Sequence, residues 1–235
     1  MNILALETSM GACSAAVLCV ESAPASGAPA AKLFARLERM ERGHAEALLP
    51  MAAAAMAEAG LDFAALDLIA ATTGPGSFTG VRIAISAARG LALATGAKLY
   101  GIDSLSVMAR AAREKGVAPG APLAIAADAR RGMLYAGLYD AAGKTRQGPL
   151  LLAPEEAASM LPADLHVAVG SGATLLAEAA ARRGQRIEAT LPELQPDAAS
   201  LALLAFERGE TAEILRPLYL RPPDAKPQAQ QVARR

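Results

Sequence analysis

Apolar residues fall along this chain in short blocks whose spacing changes, and the changes mark its elements. Residues 2–6 and 12–20 are near-continuous apolar runs and predict two strands. Residues 32–40 alternate, with Leu33, Ala35 and Leu37 on one side and Arg36 and Glu38 on the other, and predict a third. Over 44–59 the spacing becomes helical: Ala45, Leu48, Leu49, Ala52 and Met56 recur at i, i+3, i+4, i+7 and i+11. Met51 and Ala55 widen that surface, and the charges are confined to Glu46 and Glu58, so this helix is apolar over more than one face. A strand at 66–72, a helix at 77–95 and a strand at 98–102 follow. After a helix at 104–115 the order returns, with strands at 123–128, 133–140 and 148–152, a helix at 155–161, a strand at 166–170, a helix at 174–183, a short strand at 186–188 and a last helix at 197–208. The doubled βββαβα unit predicts an α/β protein of two similar lobes facing a cleft, 1–103 and 104–221. The Pro- and Gln-rich tail, 222–235, is expected to be disordered, and residues 21–30 (ESAPASGAPA) read as a flexible loop.

Where the strand at 66–72 gives way to a helix stands Thr73-Gly74-Pro75-Gly76-Ser77-Phe78-Thr79-Gly80-Val81-Arg82. Three glycines and a proline at such a junction mean a tight turn that brings backbone close to something. An anion at the helix start is one reading; another helix is the other. The run is not a Walker loop, because no Gly-Lys-Ser/Thr follows it, and Gly74, Gly76 and Gly80 miss the dinucleotide-binding spacing.

The composition narrows the classes. With 23 basic and 23 acidic side chains among 235 residues, no basic bias argues for tight nucleic-acid binding by the chain alone, and with four Phe, four Tyr and no Trp base-stacking platforms are not expected. Cys13 and Cys19, on one strand, would stand about 20 Å apart, too far for a disulfide; they read as small buried residues suited to a reducing cytoplasm. No Lys or Arg precedes Lys32 and Glu7 is negative, so a secretory leader is not expected. No membrane span is expected either.

The doubled order is the topology of the actin-like ATPase and sugar-kinase fold. Within it, Ile3-Leu4-Ala5-Leu6-Glu7-Thr8-Ser9, His44-Ala45-Glu46-Ala47-Leu48-Leu49-Pro50, the block from Gly74 to Ile83 and Ala88-Arg89-Gly90-Leu91-Ala92 closely resemble the TsaB (YeaZ) family. Asp128-Ala129-Arg130-Arg131-Gly132, Tyr135, Gly170-Ser171-Gly172-Ala173 and Pro217-Leu218-Tyr219-Leu220-Arg221 extend the match over nearly the whole chain. The resemblance implies a non-catalytic cytoplasmic subunit without a cofactor, binding and activating a TsaD-type catalytic subunit that places a threonylcarbamoyl group on the adenosine beside the tRNA anticodon (position 37). It also implies a P-loop ATPase subunit of the TsaE type as a further partner, with tRNA met only through the complex. The label glycoprotease-like follows the same fold. Two departures stand out: the 21–30 connection is longer and more proline-rich than the family's usual tight turn, and Glu7 stands where Asp is common.

The TsaD-type relatives hold a metal with two histidines one helical turn apart. Here the position after His44 in that spacing is Leu48 and the other histidine, His166, lies in the other lobe, so no metal site is expected, and His44 reads as a helix-start or core residue. In the actin-like fold two turns clasp phosphates. The first would be Glu7 to Ala12; in the second the position that calls for glycine carries Arg130. Weak nucleotide contact, if any, is expected at Thr8, Ser9, Gly11, Arg82 and Arg130, and Asp128, Arg130 and Arg131 read equally as a structural ion-pair group. A peptidase is not supported, since Gly-Ser-Phe is not a nucleophile elbow. The helices at 44–59 and 77–95 are either an ordinary layer on the sheet or, as the resemblance implies, the partner interface, with Leu48, Leu49, Met51, Ala52, Met56, Ile85 and Arg89 as contacts. The same apolar face would allow the isolated chain to form a homodimer. The alternative function is a small-molecule kinase or ATPase of the same fold.

Overall fold

The computed structural model describes residues 1–21, 30–209 and 215–221. The expected disordered tail from 222, and residues 22–29 of the expected loop, lie outside the described residues. The first half runs β1 (Asn2–Glu7), β2 (Ala12–Val20), β3 (Ala31–Arg39), α1 (His44–Ala59), β4 (Leu68–Thr72), α2 (Phe78–Thr95), β5 (Lys98–Ile102) and α3 (Ser104–Glu114). The second runs β6 (Leu123–Asp128), β7 (Leu134–Tyr139), β8 (Thr145–Leu152), α4 (Pro154–Ser159), β9 (Val167–Val169), α5 (Ala173–Arg182), β10 (Glu188–Thr190) and α6 (Ala198–Arg208).

The strands make two five-stranded sheets, ordered β3-β2-β1-β4-β5 and β8-β7-β6-β9-β10. In each, three antiparallel strands are extended by two parallel ones. This is the doubled unit read from the sequence. β1 and β2 are apolar on both faces because both faces are covered. Leu4, Leu6 and Val17 meet α1 and α2, while Ile3, Ala16 and Leu18 meet α6. β3 keeps its alternation but is an edge strand, and its Leu33 and Leu37 stay 40% and 52% exposed.

The final helix of each half covers the sheet of the other. α3 buries Leu105, Met108 and Ala112 on the second sheet, and α6 buries Ala198, Leu201 and Ala205 on the first. The layers therefore run α1/α2, first sheet, α6 and α3, second sheet, α4/α5. A division at 103 and 104 follows chain order; by packing, α6 sits with the first sheet.

Local chemistry sets the helix starts. The side chains of Ser77, Asp103 and Asp197 accept the backbone N–H three residues on, capping α2, α3 and α6. α1 lacks such a cap and is instead bracketed by Gly43 (φ 90°) and Gly60 (φ 67°), with Pro50 inside it, past the first turn. Among the described residues no helix is long and apolar enough to cross a membrane.

Candidate partner-binding face

The close approach that the glycine loop makes is to backbone of the same chain. The loop lies on the chain's own first turn. A Cβ on Gly76 would fall on the carbonyl oxygen of Ser9, and one on Gly80 on that of Thr8. The backbone N–H of Ser77 donates to Ser9 O at 2.7 Å and the Thr8 hydroxyl donates to Gly80 O at 2.7 Å. The Ser9 hydroxyl donates to Glu7 Oε1 at 2.6 Å and lies 2.8 Å from the Ser104 hydroxyl. Beneath this turn sits the Glu7 carboxyl, fully buried, and burial pushes its pKa up to about 7 against the pull of the Ser9 and Thr72 hydroxyls. Glu7 Oε2 and Thr72 Oγ1 are close enough for that pull, yet neither completes a hydrogen bond of good geometry.

This packing decides where the candidate nucleotide contacts stand. Thr8 and Ser9 have no exposed surface. Gly11 is exposed, but its N–H donates to Gln195 Oε1 at 2.8 Å. Arg82 lies on the outer side of α2. Arg130 sits in the exposed turn between β6 and β7 with φ 63°, beside Arg131 at φ 57°, so the position that calls for glycine is left-handed and an arginine occupies it. The Arg130 N–H donates to Asp128 Oδ1 at 2.7 Å, and the Asp128 N–H to the Ser171 hydroxyl at 2.9 Å.

Among the described residues no group of three or more His, Cys, Asp or Glu is placed to hold a metal. His44 begins α1, with its buried Nε2 unpartnered. Cys13 and Cys19 are free thiols, and burial pushes Cys13 up to about 11.

The α1–α2 layer divides the seven expected contact residues. Leu48, Ala52, Met56 and Ile85 are 1%, 0%, 2% and 3% exposed, spent on the lobe's own core. Met51 is half-buried. Leu49 is 48% exposed, and Arg89 lies at the surface with Nη2 donating to Leu215 O at 2.8 Å. Outward from α1 stand Ala45, Leu49, Ala53 and Ala57, all exposed and uncharged, and from α2 Phe78, Arg82 and a 90% exposed Leu93. Between the helices runs an open groove of about 520 Å³, lined by Ala45, Leu48, Leu49, Ile83 and Ala87 together with Phe78, Thr79, Arg82 and Ser86.

Phe78 and Tyr219 were not singled out as site residues by the sequence. The second belongs to residues 215–221, which cross both lobes. Leu215 is buried in the first, the Leu218 N–H donates to Thr73 O at 2.7 Å, and Arg221 Nη2 donates to Ala129 O at 2.9 Å in the second. The aromatic residue inside the glycine block and the Tyr of the Pro217-to-Arg221 motif were the available signals.

Compared with known proteins, residues 38–201, or 164 of the 235, match the family described as TsaD: tRNA N6-adenosine threonylcarbamoyltransferase. YeaZ from Pseudomonas aeruginosa superposes with a TM-score of 0.74 at 36% identity, covering 93% of this chain and 99% of that one. The chain belongs to the TsaB (YeaZ) family. The tRNA threonylcarbamoyladenosine biosynthesis protein TsaB of Escherichia coli is 36% identical over 140 residues, 59% of this chain and 55% of its own length, so that match spans about half of the relative. A ROK hexokinase from Thermus thermophilus, at 15% identity and a TM-score of 0.50 over 88% of this chain and 99% of its own, shares the fold alone, which is that of the actin-like ATPases. For a TsaB-family chain the filled first turn and the uncharged row on α1 beside the groove are therefore the features to explain.

Proposed function

We propose that this protein is an accessory subunit in the biosynthesis of tRNA N6-threonylcarbamoyladenosine at position 37, docking on a TsaD-type transferase through the outer face of α1 and α2. The carrying observation is that face: Ala45, Leu49, Ala53 and Ala57 expose no charge, and an open apolar groove runs beside them. A helix surface of this kind is covered by a partner. The match of residues 38–201 to the transferase family supports a partner built on the same unit, presenting an equivalent helix pair.

The role is non-catalytic. The first turn, where this fold clasps phosphate, is packed against residues 76–80, and Arg130 holds the left-handed position of the second. Docking acts by thermodynamic coupling: binding one conformation of the transferase more tightly raises its population. A P-loop ATPase of the TsaE type joins the same complex, tRNA is met through the complex, and the face pairs with itself when the chain is alone. The work is done in the cytoplasm. Among the described residues the shared fold is what favours the kinase or ATPase alternative.

The test is the modified adenosine in bulk tRNA, measured by mass spectrometry after depletion of this protein in its host. A large fall, restored by the intact chain and not by Leu49→Asp, is expected. Unchanged modification in the depleted cells, with no second protein of this family present, overturns the reading.

A further inference from the structure

One arginine on the groove's rim is held in place by contacts that leave its working edge free. Arg82 Cζ lies 3.7 Å from the centroid of the Phe78 ring, within cation–π range. Phe78 in turn stacks on Tyr219, with ring centroids 5.2 Å apart and 29° between planes. Arg82 Nε donates to the Tyr219 hydroxyl at 2.7 Å. The Leu218 N–H anchors that segment on Thr73 O, so the tyrosine arrives from 137 residues away along a fixed path. One face and the Nε of the guanidinium are thus engaged. Among the described residues nothing bonds Nη1 or Nη2, and no carboxylate pairs with Arg82. A long side chain ordinarily loses rotamer freedom when it grips a partner; here that cost is met in the free protein.

We propose that Arg82 is a preset carboxylate receptor, and that the occupant of the α1–α2 groove is an apolar helix of the transferase carrying an Asp or Glu opposite it. This rests on the docking reading above and deepens it. The chemistry of the groove selects the occupant. Its apolar lining of Ala45, Leu48, Leu49, Ile83 and Ala87 takes an apolar helix face at close range. α2 carries no acidic residue, and its other arginine, Arg89, already donates to Leu215 O, so the groove offers one cationic fork. A single fork beside an apolar floor suits one carboxylate on a helix. A nucleic-acid backbone would call for several cations in a row.

The experiment measures affinity between this chain and the TsaD-type transferase of the same host, by calorimetry at two salt concentrations. Arg82→Gln is expected to weaken binding about tenfold or more, the loss of a charge-assisted pair, and to flatten the salt dependence. Arg82→Lys keeps the charge without the planar fork and is expected to recover little of the loss. Tyr219→Phe removes only the hydroxyl that holds Nε and is expected to weaken binding roughly threefold with thermal stability unchanged; it reads out positioning even where an Arg82 variant folds poorly. Scanning Asp and Glu to Arg on the transferase's matching helices should yield one variant that restores affinity to Arg82→Glu.

Arg82→Gln with wild-type affinity and salt dependence overturns the receptor, and leaves the docking reading standing if Leu49→Asp still abolishes binding. Should Leu49→Asp also bind normally, or the wild-type chain not bind the transferase at all, both fall. An Arg82→Gln protein that keeps the transferase but costs the complex its grip on tRNA would make the fork a phosphate site and overturn the carboxylate.

Discussion

The two lobes wear different coats over the same frame. In each, a helix pair lies on the outer side of a sheet of the same strand order. Over the second sheet, α4 and α5 face solvent with Glu155 and Arg182 paired at 2.7 Å and with Thr174, Glu178 and Arg183 exposed. Over the first, α1 exposes the row Ala45, Leu49, Ala53 and Ala57, with Glu46 and Glu58 toward its ends, and α2 exposes Arg82, Arg89 and a 90% exposed Leu93. The same frame thus carries an outer layer with an ion pair across its helices in one lobe and, in the other, an uncharged row on α1 beside the arginines of α2. The turns differ in the same sense: Thr8–Ser9 is sealed under the glycine loop, while Arg130–Arg131 stands in the open.

Substitutions made in matching places of the two lobes should sharpen or break this contrast. The largest effect is expected from Gly80→Ala, whose Cβ meets the fixed backbone of Thr8. We expect a loss of about 3 kcal/mol or more in urea unfolding. Gly172→Ala meets first the Leu134 Cδ2 at 2.5 Å, a side-chain end rather than backbone, and its nearest backbone atom stands at 3.2 Å, so it should cost less. Equal losses would show that the first turn is no more tightly built than its counterpart. Next comes Leu49→Asp, expected to weaken transferase binding about a hundredfold, as loss of a buried interface anchor does, with an unchanged melting temperature. Leu175→Asp, at a 39% exposed site on α5, should leave binding unaltered; a matching loss there would end the asymmetry between the coats.

A pH-dependent effect follows from Glu7, whose pKa is raised to about 7 from an ordinary 4.5 by burial. Below about pH 4.5 folded and unfolded chains both hold the proton, and its contribution is full. As pH rises toward about 7 only the folded chain still holds it, so stability falls, by no more than about 1.4 kcal/mol per pH unit. Glu7→Gln should remove that fall in denaturation curves taken between pH 4.5 and 8, leaving the part due to Asp197, which burial also raises. The smallest effect is expected from Arg182→Ala. It breaks a pair of exposed side chains and should leave the thermal midpoint where it was.

Much of the frame was legible because local chemistry marks it. Gly43 and Gly60 adopt left-handed backbone and bracket α1 at the residues where its pattern starts and stops. The buried runs of β1 and β2, and the Leu123–Asp128 strand, needed only their composition. β10 slipped: expected at 186–188, it pairs over Glu188–Thr190, since a three-residue parallel strand is set by β9 and has little pattern of its own. What the sequence could not show was which neighbour each surface meets. Leu48 and Leu49 belong to one apolar pattern, yet one is core and the other surface, because the sheet beneath picks the stripe it covers. Gly76 and Gly80 announced a close approach; that it is to Thr8 and Ser9, some seventy residues earlier, is a tertiary fact. The Arg82–Tyr219 bond, across 137 residues, is another.

The exchange of helices between the lobes has a consequence for how the chain is made. All five strands of the first sheet have left the ribosome once Ile102 has emerged, and α1 and α2 can close one side of it at once. The other side, with Ile3, Ala16, Leu18 and Ile69's neighbours Leu68 and Ala70, waits for α6, which begins only at Ala198. Throughout the synthesis of the second lobe the nascent protein carries a bare apolar sheet face, the kind of surface that chaperones hold and that aggregates without them. A chain stopped after residue 103 would keep that face for good, so the first lobe is not a unit that can be cut out and studied alone.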